Sequence, residues 1–127
     1  MGFNGFLAVG VGAAVGAWAR WGLGLMLNAT IPALPLGTLA ANLVGGYFMG
    51  LFMGIFTATA TFSPEIRLFV MTGLLGGLTT FSSFSAEAVT LISRGQYGWA
   101  ATHILVHVLG SLAMTALGLI TVQFIRG

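Results

Sequence analysis

GLLGGLTTFSSFS, residues 73–85, is the stretch on which the reading of this chain turns. It lies inside an apolar run from Ile66 to about Ser93, yet it holds three glycines and five hydroxyl side chains. Gly73, Gly76 and Gly77 weaken helix propagation, and Thr79, Thr80, Ser82, Ser83 and Ser85 offer the backbone local partners outside the helical ladder. The composition therefore predicts a helix that breaks here. Broken backbone at membrane depth survives only where protein or a polar cavity satisfies the freed groups, because each bare group costs several kcal/mol. A polar or ionic element is expected at the break.

The surroundings establish that the depth is that of a membrane. Of 127 residues, 57% are hydrophobic and 5% charged, and the mean hydropathy is +1.03. Runs of about 20 apolar residues span a bilayer, and the chain divides into four: residues 3–27, 36–60, 66–93 and 97–125. The connections are too short to be domains and hold the prolines, so the expectation is one all-α membrane domain, residues 1–127. No basic segment precedes the first apolar run, which is longer than a signal-peptide core, so it is read as a retained span. Without cysteine there is no disulfide or thiolate chemistry. The basic balance rests on four scattered arginines against two glutamates, which excludes a nucleic-acid footprint. Serine motifs for hydrolysis and a phosphate-binding loop are missing, so no enzyme is expected.

Charge also bears on orientation. Four spans put both termini on one side with Arg67 and Arg126, while Arg94 and an outward-reaching Arg20 lie on the other. Two against two gives no preferred direction under the positive-inside rule. Dual insertion and an antiparallel homodimer fit that balance.

Each span adds polar residues whose uses stay open. In the first, Gly12 and Gly16 suit close helix contact, and Arg20 is either an interfacial arginine between Trp18 and Trp21 or a cation raising the anion potential at a pore mouth. In the second, Thr38 and Asn42 share a face above the seam of Gly46, Gly50 and Gly54; Asn42 either joins helices or donates its NH2 to a passing anion. In the third, Phe81 and Phe84 share a face if helical. Their ring edges carry partial positive charge and could receive a partly dehydrated anion, although such stripes also serve as core or lipid contact. Glu87 follows as a costly embedded acid, serving as a structural partner, a gate or a vestibule group. In the fourth, His103, His107, Ser111 and Thr115 recur every four residues, a ribbon rising about 18 Å. It lines an aqueous groove or joins helices. The two histidines could be half of a metal site, with no third ligand in view.

The run GGLTTFSSFSAE at Gly76 to Glu87, with Arg20-Trp21, GTLAANLVGG at Gly37 to Gly46 and GSLAMT at Gly110 to Thr115, closely resembles the Fluc (CrcB) family of bacterial fluoride channels. The resemblance covers all four spans. It implies a passive, electrogenic fluoride-export channel of the bacterial inner membrane, an antiparallel homodimer with two pores, protecting against fluoride toxicity. Phe81 and Phe84 would form an aromatic box, with Asn42 donating beside them. Ser111, Thr115 and, at a variable position, His107 would belong to a polar track, with Ser82 or Ser83 as further donors. Arg20 would face a vestibule, and Glu87 would act in permeation or gating. Backbone carbonyls of Gly76 and Thr79 from both subunits would hold a structural Na+ at the two-fold axis. Fluoride, a second copy of the chain and lipid are the implied partners. The rival reading is a dual-topology small multidrug or cation exporter, which is expected to carry its embedded acid in the first span, where this chain has Arg20.

Overall fold

The computed structural model describes residues 2–127 as helices joined by short turns. α1 is Gly2–Leu27, α2 is Leu36–Ala58, and the third span is split into α3, residues 64–78, and α4, Phe81–Ser93; α5 is Tyr97–Arg126. Within α3 the ladder widens to a π-helix over Leu68–Leu75. Four helical spans are long and apolar enough to cross a membrane.

The spans begin and end where local chemistry dictates. The third starts two residues earlier than hydropathy suggests, because Ser63 caps it, its hydroxyl accepting from the Ile66 N–H at 3.2 Å, with Pro64 at the first helical position. The second ends two residues early, at Ala58, where Thr59 turns extended. At its start Pro35 offers no side-chain cap, and the side-chain Oδ1 of Asn28 substitutes, accepting from the N–H groups of Gly37 (2.8 Å) and Thr38 (3.2 Å). After α4, Gly95 takes a positive φ of 72°. Gln96 N–H then reaches Leu91 O and Gly95 N–H reaches Ile92 O, a Schellman closure that lets α5 return at once.

Two glycine seams fix the packing. α1 lies on α3, where Gly12 and Gly16 interlock with Gly73 and Gly77. A Cβ on Gly16 would overlap Leu74 O, and one on Gly77 would fall 2.5 Å from Ala13 O. α2 lies along α5, where Gly50 rests on the Thr115 backbone and Gly118 on that of Tyr47. Small residues that let backbones touch are how helices associate where lipid removes the hydrophobic drive.

The break is real, and of the two causes the sequence suggests, the hydroxyls act and the glycines do not. Gly73, Gly76 and Gly77 are all helical, and Gly73 and Gly77 serve packing against α1. The extended residues are Thr79 (φ −84°, ψ 157°) and Thr80 (φ −153°, ψ 119°). Thr79 closes α3, its N–H and hydroxyl both donating to Leu75 O at 3.0 and 2.9 Å. Thr80 opens α4 as its N-cap, the hydroxyl accepting from Ser83 N–H at 3.1 Å. Asn42 of α2 takes both backbone groups of Thr80: its side-chain oxygen accepts from Thr80 N–H at 2.7 Å, and its NH2 donates to Thr80 O at 3.1 Å. An amide thus stands in for the missing helical turn.

Candidate functional site

The polar residues gather on either side of this break, in two cavities. The larger, about 400 Å³, is a groove between α2, α4 and α5, lined by Asn42, Thr80, Phe81, Phe84, His107, Ser111 and Thr115. The second, about 330 Å³, is lined by Arg20 and Trp21 of α1, Asn28, Thr38 of α2, and Ser83 and Glu87 of α4.

In the groove, Phe81 and Phe84 stand with ring centroids 5.5 Å apart and planes tilted by 58°. They share a face, as their spacing predicts, but their environments are opposite: Phe84 is buried at 8% exposure and Phe81 is 77% exposed. Phe84 also packs on His103 and His107, at 5.2 and 4.8 Å between centroids. Asn42 joins the helices and faces the groove at once. Besides gripping Thr80, its NH2 lies 3.1 Å from Nδ1 of His107. An amide NH2 can only donate, so Nδ1 accepts and the neutral ring carries its proton on Nε2.

The ribbon of α5 divides. His103 and His107 turn inward, 0% and 3% exposed, whereas Ser111 and Thr115 are half-buried along the groove. The Thr115 hydroxyl donates to Gly46 O at 2.9 Å. The drift of each four-residue step accounts for this split.

In the second cavity Arg20 is half-buried, and its Nε donates to Gly77 O at 3.0 Å. That carbonyl lies in the last turn before the break, where helical partners run out. Glu87 accepts from the Thr38 hydroxyl through Oε2 at 2.7 Å, while Oε1 lies 3.4 Å from Nε2 of His103. Ser83 lines this cavity instead of the groove, and Ser82 is exposed and lines neither. Gly76 and Thr79 flank the end of α3; their carbonyl oxygens accept no hydrogen bond from beyond their own segment among the described residues.

The sequence reading gave Thr38, Thr80 and His103 no specific partner. Thr38 was signalled by its position one turn before Asn42, and His103 by its position in the ribbon. Nothing local marks Thr80 as Asn42's partner, because they are 38 residues apart.

The matching family model is described as CrcB-like protein, Camphor Resistance (CrcB), and it covers residues 7–119. The chain belongs to the CrcB family. Its similarity to curated members is high and runs end to end. It is 58% identical over 125 residues to a protein of Cupriavidus taiwanensis, covering 98% of this chain and 99% of that one. It is 60% identical over 121 residues to one of Pseudomonas putida, covering 95% of each, and 55% identical over 125 residues to one of Nitrosospira multiformis, covering 98% of each. All three relatives bear the name fluoride-specific ion channel FluC. In this CrcB chain, then, the two cavities lie on either side of the broken third span, where the run at Gly76 to Glu87 predicted a polar element.

Proposed function

We propose that this protein is a fluoride-selective channel that lets fluoride leave the cell passively and electrogenically, and that it works as an antiparallel homodimer with two pores in the bacterial inner membrane. The observation that carries the reading is the groove: an amide, hydroxyls and two phenyl rings converge beside a broken helix, in a chain whose near full-length relatives are named fluoride-specific ion channels.

Fluoride is small and strongly hydrated, so a path for it must replace water with donors without binding so tightly that conduction stops. In this mechanism the ion gathers first beside Arg20, Ser83 and Glu87, where the guanidinium raises its local concentration. It then passes the ring edges of Phe84 and Phe81. Both amide protons of Asn42 are already engaged, so the amide serves the ion by exchanging its bond to His107 for one to fluoride. Ser111 and Thr115 carry the ion on along α5.

A second chain completes the path. Phe81 projects from the monomer beside Leu112, 66% exposed, and an inverted copy packed on that side would turn an open groove into an enclosed pore. The balanced arginines suit insertion in both directions. At the two-fold axis a structural Na+ is a chemical fit for Gly76 and Thr79, whose carbonyls lack partners at the break: hard oxygen donors without a carboxylate suit a singly charged hard cation. The ion would tie the two breaks together.

Fluoride efflux from proteoliposomes, with a potassium ionophore to dissipate charge and chloride as control, tests the proposal. Fast fluoride loss, negligible chloride loss and a severe defect in Phe81→Ile are expected. Wild-type dimers that pass no fluoride would overturn it.

A further inference from the structure

Three buried polar atoms end without a hydrogen-bond partner: Oε1 of Glu87, Nδ1 of His103 and Nε2 of His107. Native proteins leave few such groups, so three in one place call for a ligand. One ligating atom from each of these residues lies within 4.8 Å of the others. The histidine pair lacked a third ligand in the sequence, and the fold brings it from α4.

We propose that Glu87, His103 and His107 form a binding site for a borderline-soft divalent transition metal such as zinc, and that occupancy blocks the route between the two cavities. Two imidazoles and a carboxylate are a donor set that zinc accepts with one position left for water. Zinc bonds of about 2.0–2.2 Å in a tetrahedron place neighbouring ligand atoms roughly 3.4 Å apart. The site closes if the three side chains draw together from their 4.8 Å spread to that edge, a movement of roughly 1.4 Å at most.

The outer contacts resemble those that orient metal ligands. Nε2 of His103 lies 3.3 Å from Phe84 O, a group that can only accept, so that nitrogen carries the proton and Nδ1 keeps a free lone pair. A ligating histidine commonly donates its other N–H to a backbone carbonyl in this manner. Thr38 holds the far oxygen of Glu87 at 2.7 Å and leaves Oε1 free. Access comes from the second cavity, which Glu87 lines, while His107 lines the groove and His103 lies buried between them.

The same geometry couples the metal to Asn42. If the ion takes Nδ1 of His107, it replaces the Asn42 NH2 directly. If it takes Nε2, the ring proton must move to Nδ1 and face that NH2, which is equally incompatible with the present bond. Through either nitrogen the ion removes His107 from Asn42. Blockage of fluoride rests on the channel reading above; metal binding does not.

The test is zinc titration by calorimetry of purified, tag-free dimer in detergent, followed by the visible spectrum with cobalt as a substitute. About one zinc per chain is expected, weakened at least about tenfold in His103→Gln, His107→Gln and Glu87→Gln. Glu87→Gln keeps an acceptor for Thr38 and guards against misfolding of the histidine variants; elution volume checks each. Cobalt should show the intense bands of a four-coordinate site. Zinc should also slow fluoride efflux from wild-type vesicles at matching concentrations. No saturable zinc binding to the wild type, equal binding by all variants that elute as dimers, or the pale spectrum of octahedral cobalt would overturn the site whatever the fluoride assay shows. Metal binding without loss of efflux would overturn the blockage.

Discussion

Asn42→Leu removes the amide that replaces a helical turn, and its cost can be worked from the bonds it makes. Three are lost: Thr80 N–H to Oδ1 at 2.7 Å, Nδ2 to Thr80 O at 3.1 Å, and Nδ2 to His107 Nδ1 at 3.1 Å. Intramembrane side-chain hydrogen bonds average about 0.6 kcal/mol, because a chain unfolded within lipid also finds partners, so three give about 2 kcal/mol. Leucine, however, leaves the Thr80 N–H and C=O orphaned at a break where no other protein donor or acceptor faces them. Two such groups at about 1–3 kcal/mol each raise the middle of the range to about 4 kcal/mol. A loss of about 2–4 kcal/mol is expected, which is roughly 30-fold to several hundred-fold in the folding equilibrium. The comparison is Thr115→Val, which removes a single bond to Gly46 O at the same α2–α5 interface and should cost about 0.6 kcal/mol. Reversible unfolding in mixed micelles, followed by helical circular dichroism, measures both, and amide exchange at Thr80 reads the local opening. If Asn42→Leu were no less stable than Thr115→Val and the Thr80 amide stayed equally protected, the amide would not be what holds the break.

Two further perturbations probe the frame and the second cavity. Gly16→Ala places a methyl on the Leu74 carbonyl and the Leu78 N–H, and should cost more than about 3 kcal/mol, whereas Gly10→Ala meets nothing within 4 Å and should be neutral or gain up to about 1 kcal/mol in helix propensity; thermal unfolding of the two variants side by side checks this. Thr38→Val deprives Oε2 of Glu87 of its donor and should cost about 1–3 kcal/mol, less in a Glu87→Gln background, so a double-mutant cycle on unfolding free energies should show coupling; strict additivity would mean that the 2.7 Å contact carries no energy.

The spans were legible because length and hydropathy alone define them, and their ends shifted by two residues where caps decided the boundary. Gly73 and Gly77 were legible as breakers and turned out to be contacts. A glycine's propensity cost is about 1 kcal/mol, small beside the close packing of Gly12 and Gly16 on Gly73 and Gly77, so tertiary contact kept all four helical. Thr79 and Thr80 became extended because each had a substitute partner, and one of those partners is on another helix. Local patterns carry no information about a partner 38 or 49 residues away, so the Asn42–Thr80 and Thr38–Glu87 contacts lay beyond reading.

Scarcity of polar groups then decides the chemistry of the second cavity. Four arginines and two acids would lead one to pair Arg20 with Glu87, which line the same space. They form no ion pair: among the described residues the close titratable neighbour of Glu87 is His103, and its firm bond is from Thr38. Arg20 is held by the neutral carbonyl of Gly77 at 3.0 Å, freed by the break in the next helix. A carboxylate in that place would cancel the guanidinium's field, whereas a carbonyl orients the group and leaves its unit charge directed at the cavity. The break therefore does two things with one interruption of the ladder: Thr80 and Asn42 shape the groove, and Gly77 fixes an uncompensated cation beside it. The guanidinium shares its cavity with Glu87 without pairing with it, so its donors other than Nε stay turned to that space.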